Sequence, residues 1–203
     1  MSKPLILIGA GGHCKALIDV IDSGDEFSIA GILGAPSERG KKLLGYSIVG
    51  TDADIDDWIA SGVHFIIAIG QIKSPEPRSR VGAMLADRRA LVGTVTASSA
   101  HVSKHSVLGL GSMVFRKAHI GPDSHIGEHC IINTGAIIEH DCRIDSYCHI
   151  STGAILNGGV TVGSGSFIGS GAILREGVTI GSNCIVGAGV PIKFSVPDGQ
   201  TVR

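Results

Sequence analysis

Residues 120–150, "IGPDSHIGEHCIINTGAIIEHDCRIDSYCHI", place an isoleucine at every sixth position: Ile120, Ile126, Ile132, Ile138, Ile144 and Ile150. Followed outward, the same step runs without a miss from Val102 to Ile192, sixteen aliphatic positions in all. Four residues after each comes a small side chain, from Ser106 through Ala118, Cys130 and Ala154 to Val196. A period of six suits a parallel β-helix, in which each hexad makes one short strand and one corner and three hexads close a triangular coil. Sixteen hexads then make a little over five coils of 18 residues, stacked at roughly the 4.8 Å β spacing. The aliphatic residue fills the interior and the small one fits the narrowing corner. Glycine follows the aliphatic position at Gly109, Gly121, Gly127, Gly163, Gly169, Gly181 and Gly187, where the spacing predicts a turn conformation that side chains resist.

Composition agrees with tight repetition, since aromatics are only 4% of the 203 residues while 30 are glycine. The net charge of −1 supplies no field for nucleic acid or an anionic membrane, so partners have to be argued from sites. The start, "MSKPLILIGAGGH", has one apolar run of Leu5 to Ile8, too short for a signal h-region or a membrane span, and a cytoplasmic location is expected. No CxxC pair occurs among the five cysteines, and four of them stand at small-corner positions, which predicts buried free thiols that serve packing.

Residues 4 to about 94 follow a different rhythm of strands and helices. "PLILIG" reads as a buried strand; Cys14, Leu17, Ile18 and Ile21 then recur at helical spacing, and "FSIAGIL" reads as a second strand. Asp52 is placed to cap a helix carrying Ile55, Trp58 and Ile59, the apolar run "FIIAIG" follows, and a further helix is expected from about Glu76. Such alternation argues a small parallel sheet covered by helices, a Rossmann-like domain over residues 1–94 ahead of the β-helix of residues 95–203. Ligands of such sheets bind at the carboxyl ends of the strands, here Gly9 to Gly12 and Gly70-Gln71. "GAGGH" is not a dinucleotide fingerprint, because the third glycine position holds Cys14 and no acid ends the second strand. A nucleotide-sugar phosphate at this loop and helix start is the expectation, set against a purely structural tight turn.

Inside the hexad array, "IIEHDC" interrupts an apolar run with Glu139, His140 and Asp141. His140 stands two residues after interior Ile138 and faces outward, and the stacked position one coil on is Gly158, flanked by Asn157 and Gly159. A side-chain-free patch above a histidine leaves room for a ligand and offers backbone amides to an oxyanion. Imidazole has the pKa of a general base near neutral pH, and Asp141 can fix its tautomer, provided a corner brings two adjacent side chains together. The bland alternative is a solvated outer face.

The hexads together with "ILIGAGGHCK" resemble the NeuD/PglD-like sugar acetyltransferases of the hexapeptide-repeat acyltransferase superfamily, over nearly the whole chain. That resemblance implies a left-handed β-helix, homotrimers, acetyl-CoA as donor in clefts between neighbouring β-helices, and a nucleotide-sugar or sialic-type acceptor. It implies His140 as general base with Asp141 as its partner, matched in "IEHDC", and Asn133 and His149 as substrate residues, with His149 lining the acceptor or acetyl site. The N-terminal loop adds Gly11, Gly12, His13, Gly70 and Gln71 on the substrate side. For the donor, the resemblance adds Gly158, Gly169, Gly187 and Lys193 to His149; relatives continue past Arg203 into a tail that helps hold the CoA nucleotide, so either the sequence is trimmed there or CoA binding leans on Lys193 and the glycines Gly169, Gly171, Gly187 and Gly189. Uridine-binding members carry aspartates where this chain has Leu33-Gly34-Ala35, which speaks against uridine, and "GQIKSPEPR" departs from the usual G-N-N-x-x-R, so that Gln71, Lys73 and Arg78 either meet phosphates or an acidic sugar or form a solvated loop.

The expected activity is therefore N-acetylation of a nucleotide-linked amino-deoxy sugar for surface glycans. O-acetylation of a sialic or legionaminic-type acid is the nearest alternative. His101, His119, His125 and His129 raise a metal-dependent hydratase, for which three ligands at one height are not evident, and a non-catalytic trimeric scaffold is the remaining possibility; no metal cofactor is expected.

Overall fold

The computed structural model describes residues 2–203 as two compact units, one comprising the chain up to Gly70 plus Pro77–Val95, the other Gln71–Glu76 plus Thr96–Arg203. In chain order the first part contains β1 (Lys3–Ile8), α1 (Gly12–Ile21), β2 (Phe27–Leu33), β3 (Lys42–Leu43), β4 (Tyr46–Gly50), α2 (Ile55–Ala60), β5 (His64–Ile67), α3 (Glu76–Asp87) and β6 (Leu91–Val92). The sheet order is β3-β4-β2-β1-β5-β6, parallel except for the β3/β4 pair. Because β1 has β2 on one side and β5 on the other, the strand order reverses at β1, and a crevice opens at the carboxyl ends of these strands. The apolar runs supply the core: Ile6, Ile8, Leu33, Phe65 and Ile67 pack with Val81 and Leu85 of α3.

Two local readings change. The β3/β4 hairpin was not visible in the sequence, because its two-residue turn is Leu44-Gly45 and carries no Asn-Gly or Asp-Gly signal; Leu44 adopts φ 48° and Gly45 φ 91°, as a primed turn requires. Asp52 is not the cap ahead of α2. Thr51 caps a 3-10 turn at Asp52–Asp54, accepting from the Ala53 N–H at 3.3 Å, while the Asp54 carboxylate accepts from the Thr51 N–H at 2.8 Å.

In the second unit two-residue strands recur every six residues from His101–Val102 to Pro191–Ile192, and each as far as Ile173–Leu174 pairs in parallel with the strand 18 residues on, as in Ile137–Ile138 with Ile155–Leu156. Three sheets result, the sides of a left-handed parallel β-helix. The aliphatic residue is the second of each strand and is buried from Val114 to Ile192. Val102 and Leu108 are only partly buried, because no coil lies beneath them on their two sides to cover them. The C-terminal Thr201–Val202 pairs with Ile185–Val186 on the third side.

The glycines that follow the aliphatic positions do not serve the turn. The left-handed residue of each corner comes two places later, at Gly111, Gly135, Gly153 and Gly171, or at Lys117, Asp123, His129 and Asp141. The earlier glycines allow close approach of the next coil: a Cβ at Gly169 would lie 2.5 Å from the Gly187 carbonyl carbon, and one at Gly121 would lie 2.9 Å from the His140 nitrogen.

All five cysteines are buried free thiols, as expected, yet the four in the corners do more than fill space. Corner serines and cysteines donate to the carbonyl 15 residues on: Ser124 to Glu139 at 2.7 Å, Cys142 to Asn157 at 3.3 Å, Cys148 to Gly163 at 3.2 Å and Ser166 to Gly181 at 2.7 Å. Serine adds a second bond by accepting the N–H 18 residues on, as Ser112 does from Cys130 at 2.9 Å. A corner carbonyl turned into a narrow apolar interior needs a donor, and these side chains provide it.

Candidate active site

Ile138 and Cys142 hold the wall and the inner corner of one coil, and between them Glu139, His140 and Asp141 form the outward turn. Asp141 adopts φ 60°, a conformation that aspartate tolerates better than most side chains. This bend is what lets two adjacent side chains meet. His140 Nδ1 lies 2.6 Å from Asp141 Oδ2. A carboxylate can only accept, so Nδ1 carries the hydrogen and Nε2 is left with its lone pair in the neutral ring.

The hydrogen bond to Asp141 holds the His140 pKa above its ordinary value against an opposing effect of burial, with the charges of Asp141, Glu139 and Glu176 adding to the rise. The same bond holds the Asp141 carboxyl below the usual carboxylate range, helped by Asp123, the charge of His140 and Arg143. Both side chains are more than half exposed, so they are available to substrate.

The imidazole is cradled by two bare backbones. Gly121 of the preceding coil packs beneath the Glu139–His140 peptide, and Gly158 of the following coil leaves the ring its place, since a Cβ there would fall 2.5 Å from Cε1 and 2.7 Å from Nε2. The expected ligand space above His140 is thus taken by the ring itself. Gly121 was expected only as a turn glycine, and Ser124 and Glu176 were given no part in the site, although the 18-residue stacking rule reaches all three from positions 139, 142 and 158.

Asn133, His149 and Gln71 form a second group. His149 Nδ1–H donates to the Gln71 main-chain carbonyl at 2.6 Å, so Nε2 accepts, and the Asn133 amide nitrogen lies 3.1 Å from it. The Asn133 side-chain oxygen accepts from the Thr134 N–H at 2.8 Å, which fixes the amide's orientation. Gln71 donates from Nε2 to the Gly165 carbonyl at 3.0 Å, and Phe167 meets the His149 ring edge-on. His149 is only 6% exposed with both nitrogens engaged. Its ring stands on the side formed by Ile131, His149 and Phe167, whereas His140 turns the corner after the side formed by Ile137 and Ile155; a single chain does not bring the two histidines together. Of the expected "GQIKSPEPR" contacts, Lys73 is exposed, but Gln71 and Arg78 are buried, Arg78 within α3, so a solvated loop is not their setting.

In the N-terminal unit, β1 ends at Gly9, whose φ of 111° and close contact with Ile69 admit no side chain. Gly11 is the N-cap of α1, Gly12 its first residue, and open space adjoins both; His13 backs onto Gly70, whose added Cβ would lie 3.3 Å from the His13 Cβ. Beside them, at the strand ends, a cavity of about 380 Å³ is lined by Ile8, Gly9, Ala10, Leu33, Gly34 and Asp52 among others. Gly11, Gly12, His13 and Gly70 lie outside its lining.

The expected donor residues sit higher on the β-helix. Gly169 is packed by the Gly187 backbone, and Gly187 lies against Val190 and Val202, so neither presents a bare surface to a ligand; Lys193 is exposed. His101 and His119 stack at 4.9 Å, but His129 stacks instead on Tyr147 at 5.1 Å, and among the described residues no group of three His, Cys, Asp or Glu is placed to hold a metal ion.

A left-handed β-helix that presents a carboxylate-bound histidine at an outward corner defines an acyltransferase of the hexapeptide-repeat class. Comparison with known proteins agrees. Residues 4–81 match the PglD N-terminal domain, and residues 123–158 and 159–192 match the bacterial transferase hexapeptide (six repeats). A histidine-to-alanine variant of GDP-perosamine N-acetyltransferase from Caulobacter crescentus, in complex with CoA and GDP-perosamine, is 34% identical with a TM-score of 0.90, covering 98% of this chain and 92% of that one. The acetyltransferase domain of PglB from Neisseria gonorrhoeae, in complex with acetyl coenzyme A, is 29% identical with a TM-score of 0.91 over 100% and 96% of the two chains. WeeI from Acinetobacter baumannii shares the fold at 23% identity and a TM-score of 0.83, over 98% and 96%. No curated protein sequence matches significantly. The chain belongs to the hexapeptide-repeat sugar acetyltransferases that carry a PglD-type N-terminal domain.

Proposed function

We propose that this chain is an acetyl-CoA-dependent N-acetyltransferase acting on a nucleotide-linked amino-deoxy sugar of the GDP-perosamine type, with His140 as general base and Asp141 as its partner. The observation that carries the reading is the 2.6 Å contact between His140 Nδ1 and Asp141 Oδ2 on an exposed corner, which leaves Nε2 as the basic nitrogen. The neutral amine attacks the thioester carbonyl carbon, a C–N bond forms, and the carbonyl π pair moves onto oxygen. His140 Nε2 takes the amine proton as the imidazolium gains support from Asp141. The oxyanion then reforms the carbonyl, the C–S bond breaks, and the proton passes from His140 to the leaving thiolate.

The charges around the base favour an amine over an acid. Asp141, Asp123, Glu139 and Glu176 all act on this corner, with Arg143 as the opposing charge. An ammonium acceptor is attracted there before it loses its proton, whereas the carboxylate of a sialic-type acid is repelled.

We place the sugar nucleotide in residues 1–94, at the cavity beside Gly11, Gly12, His13 and Gly70, and the transfer in residues 95–203. The working unit in this reading is a homotrimer, in which the His140 corner of one chain faces the Asn133–His149 side of the next and acetyl-CoA lies between them. Lys193, on the same corner two coils beyond Asn157, is suited to the donor's phosphates. This reading takes the reaction to be cytoplasmic; among the described residues no helix is long and apolar enough to cross a membrane.

The test is a panel of GDP- and UDP-linked amino sugars and nonulosonic acids offered with acetyl-CoA, followed by thiol release and product mass. A nucleotide amino sugar that gains one acetyl group on nitrogen is the expected outcome. O-acetylation of a nonulosonic acid alone, or unchanged turnover in His140→Ala, rejects the reading.

A further inference from the structure

Ser124 sits inside the β-helix directly behind the His140 corner and is wholly buried. Its hydroxyl donates to the Glu139 carbonyl at 2.7 Å and accepts from the Cys142 N–H at 3.1 Å. One side chain therefore ties together the two ends of the turn that carries His140 and Asp141. Other contacts hold this turn singly: the Asp141 N–H donates to the Pro122 carbonyl at 3.1 Å, and the Cys142 thiol donates the other way, to the Asn157 carbonyl at 3.3 Å.

We propose that Ser124 is a positioning residue for acetyl transfer, holding the Glu139–Cys142 corner in the shape that aims His140; the proposal rests on the reading of His140 as the base. The argument is geometric. The contact between His140 and Asp141 exists because Asp141 is kept at φ 60°, a region that non-glycine residues occupy only when their surroundings hold them there. Removing the hydroxyl leaves a buried carbonyl and a buried N–H without their partner, and the corner can recover hydrogen bonds only by moving. Small displacements of a base cost rate steeply, whereas donor binding elsewhere on the β-helix does not depend on this turn.

The fold supplies its own control. Ser112 occupies the equivalent place one hexad pair earlier, equally buried, donating to the Gly127 carbonyl at 2.8 Å and accepting from the Cys130 N–H at 2.9 Å. The corner it spans, Gly127–Cys130, carries none of the residues assigned to the reaction. Ser124→Ala and Ser112→Ala thus remove the same two bonds, one pair at the active corner and one away from it.

The experiment compares steady-state kinetics, melting temperature and the pH profile of both variants with the parent and with Ser124→Cys, in the whole protein. Both alanine variants are expected to lose similar stability. Ser124→Ala alone should lose at least about tenfold in kcat at nearly unchanged KM for acetyl-CoA, with the acidic limb of its profile displaced as the His140–Asp141 contact loosens. Ser124→Cys, which keeps a donor of the kind used at Cys142 and Cys148, should recover most of the rate. Equal kcat losses in the two alanine variants overturn the proposal, as does a Ser124→Cys protein that melts normally but stays as slow as the alanine variant. Should the alanine variant not fold, the Ser124→Cys comparison decides alone, a kcat within about threefold of the parent supporting and a lower one rejecting. Loss of activity in His140→Ala, measured alongside, keeps failure of this proposal separate from failure of the general-base reading.

Discussion

The imidazole of His140 occupies the volume that a side chain on residue 158, one coil later, would need; a Cβ built on Gly158 falls 2.5 Å from Cε1 and 2.7 Å from Nε2. Gly158 lies outside the left-handed region, so alanine fits its backbone, and what must yield is the end of an exposed side chain. Gly158→Ala is therefore expected to fold and melt like the parent while the ring swings away from Asp141. Its kcat should fall about a hundredfold or more, the usual range for a lost general base. Parent-like turnover in a well-folded Gly158→Ala protein counts against the ring position and against His140 acting from it.

Asp141→Asn tests the electrostatics of the same pair, and asparagine also tolerates the left-handed conformation of this position. Only the neutral imidazole accepts a proton, and Asp141 holds the His140 pKa above its ordinary value. Activity should thus rise with pH along a limb centred above the histidine reference, and be lost as pH falls through it. In Asp141→Asn the main raising cause is gone, with Glu139 and Glu176 left, so the limb moves to lower pH. The plateau should also drop, because asparagine can favour the wrong tautomer. A limb that moves upward, or stays in place, contradicts the assignment of Asp141 as the tuning group.

The hexad from Val102 to Ile192 made the β-helix legible, because one interior residue per strand is a constraint that every coil repeats and no loop interrupts. The outward placement of His140 followed from its distance to Ile138, and its neighbour Gly158 from the coil length. What escaped the reading depended on three-dimensional detail within the corner. The sequence marks glycine after the aliphatic positions but does not say whether it serves a positive φ or a neighbouring backbone; the structure answers with the backbone, as at Gly169. Ser124 and Cys142 share a small-residue pattern with Ala136 and Ala154, so the hydrogen bonds that set them apart had no separate signal. In the N-terminal unit Leu44-Gly45 lacks the usual turn residues, and the burial of Gln71 goes with a hydrogen bond to Gly165, far along the chain.

The thiols offer a check on burial that is independent of activity. Cys14 is pushed up to about 12 by burial, and Cys142 is raised mainly by burial too; Cys148 is raised by its hydrogen bond with Cys130 and by burial. Reactivity follows the thiolate fraction and access, and both are suppressed here. An aromatic disulfide reagent at neutral pH should titrate essentially no thiols in the native protein and all five after denaturation. Rapid native labelling of a corner cysteine, located by peptide mapping, would show that the coil bearing it opens.

Gly169→Ala separates a structural glycine from a ligand-contacting one. Its added Cβ would lie 2.5 Å from the Gly187 carbonyl carbon and 2.6 Å from the Ala188 nitrogen, and both are backbone atoms of the next coil that cannot rotate away. The coil has to separate locally, weakening the rung in which the Gly169 N–H donates to the Val186 carbonyl at 2.8 Å. Such overpacking costs about 1–3 kcal/mol, and for a chain of this size each kcal/mol lowers Tm by about 2–4 °C. Gly11→Ala is the matched control, because Gly11 has φ −84° and open space where a Cβ would go, and its Tm should stay within a degree or so of the parent. Thermal melts of the two variants without any ligand decide the matter: equal melting temperatures would mean that adjacent coils are not packed backbone to backbone at Gly169, and that its bare Cα is free for the donor after all.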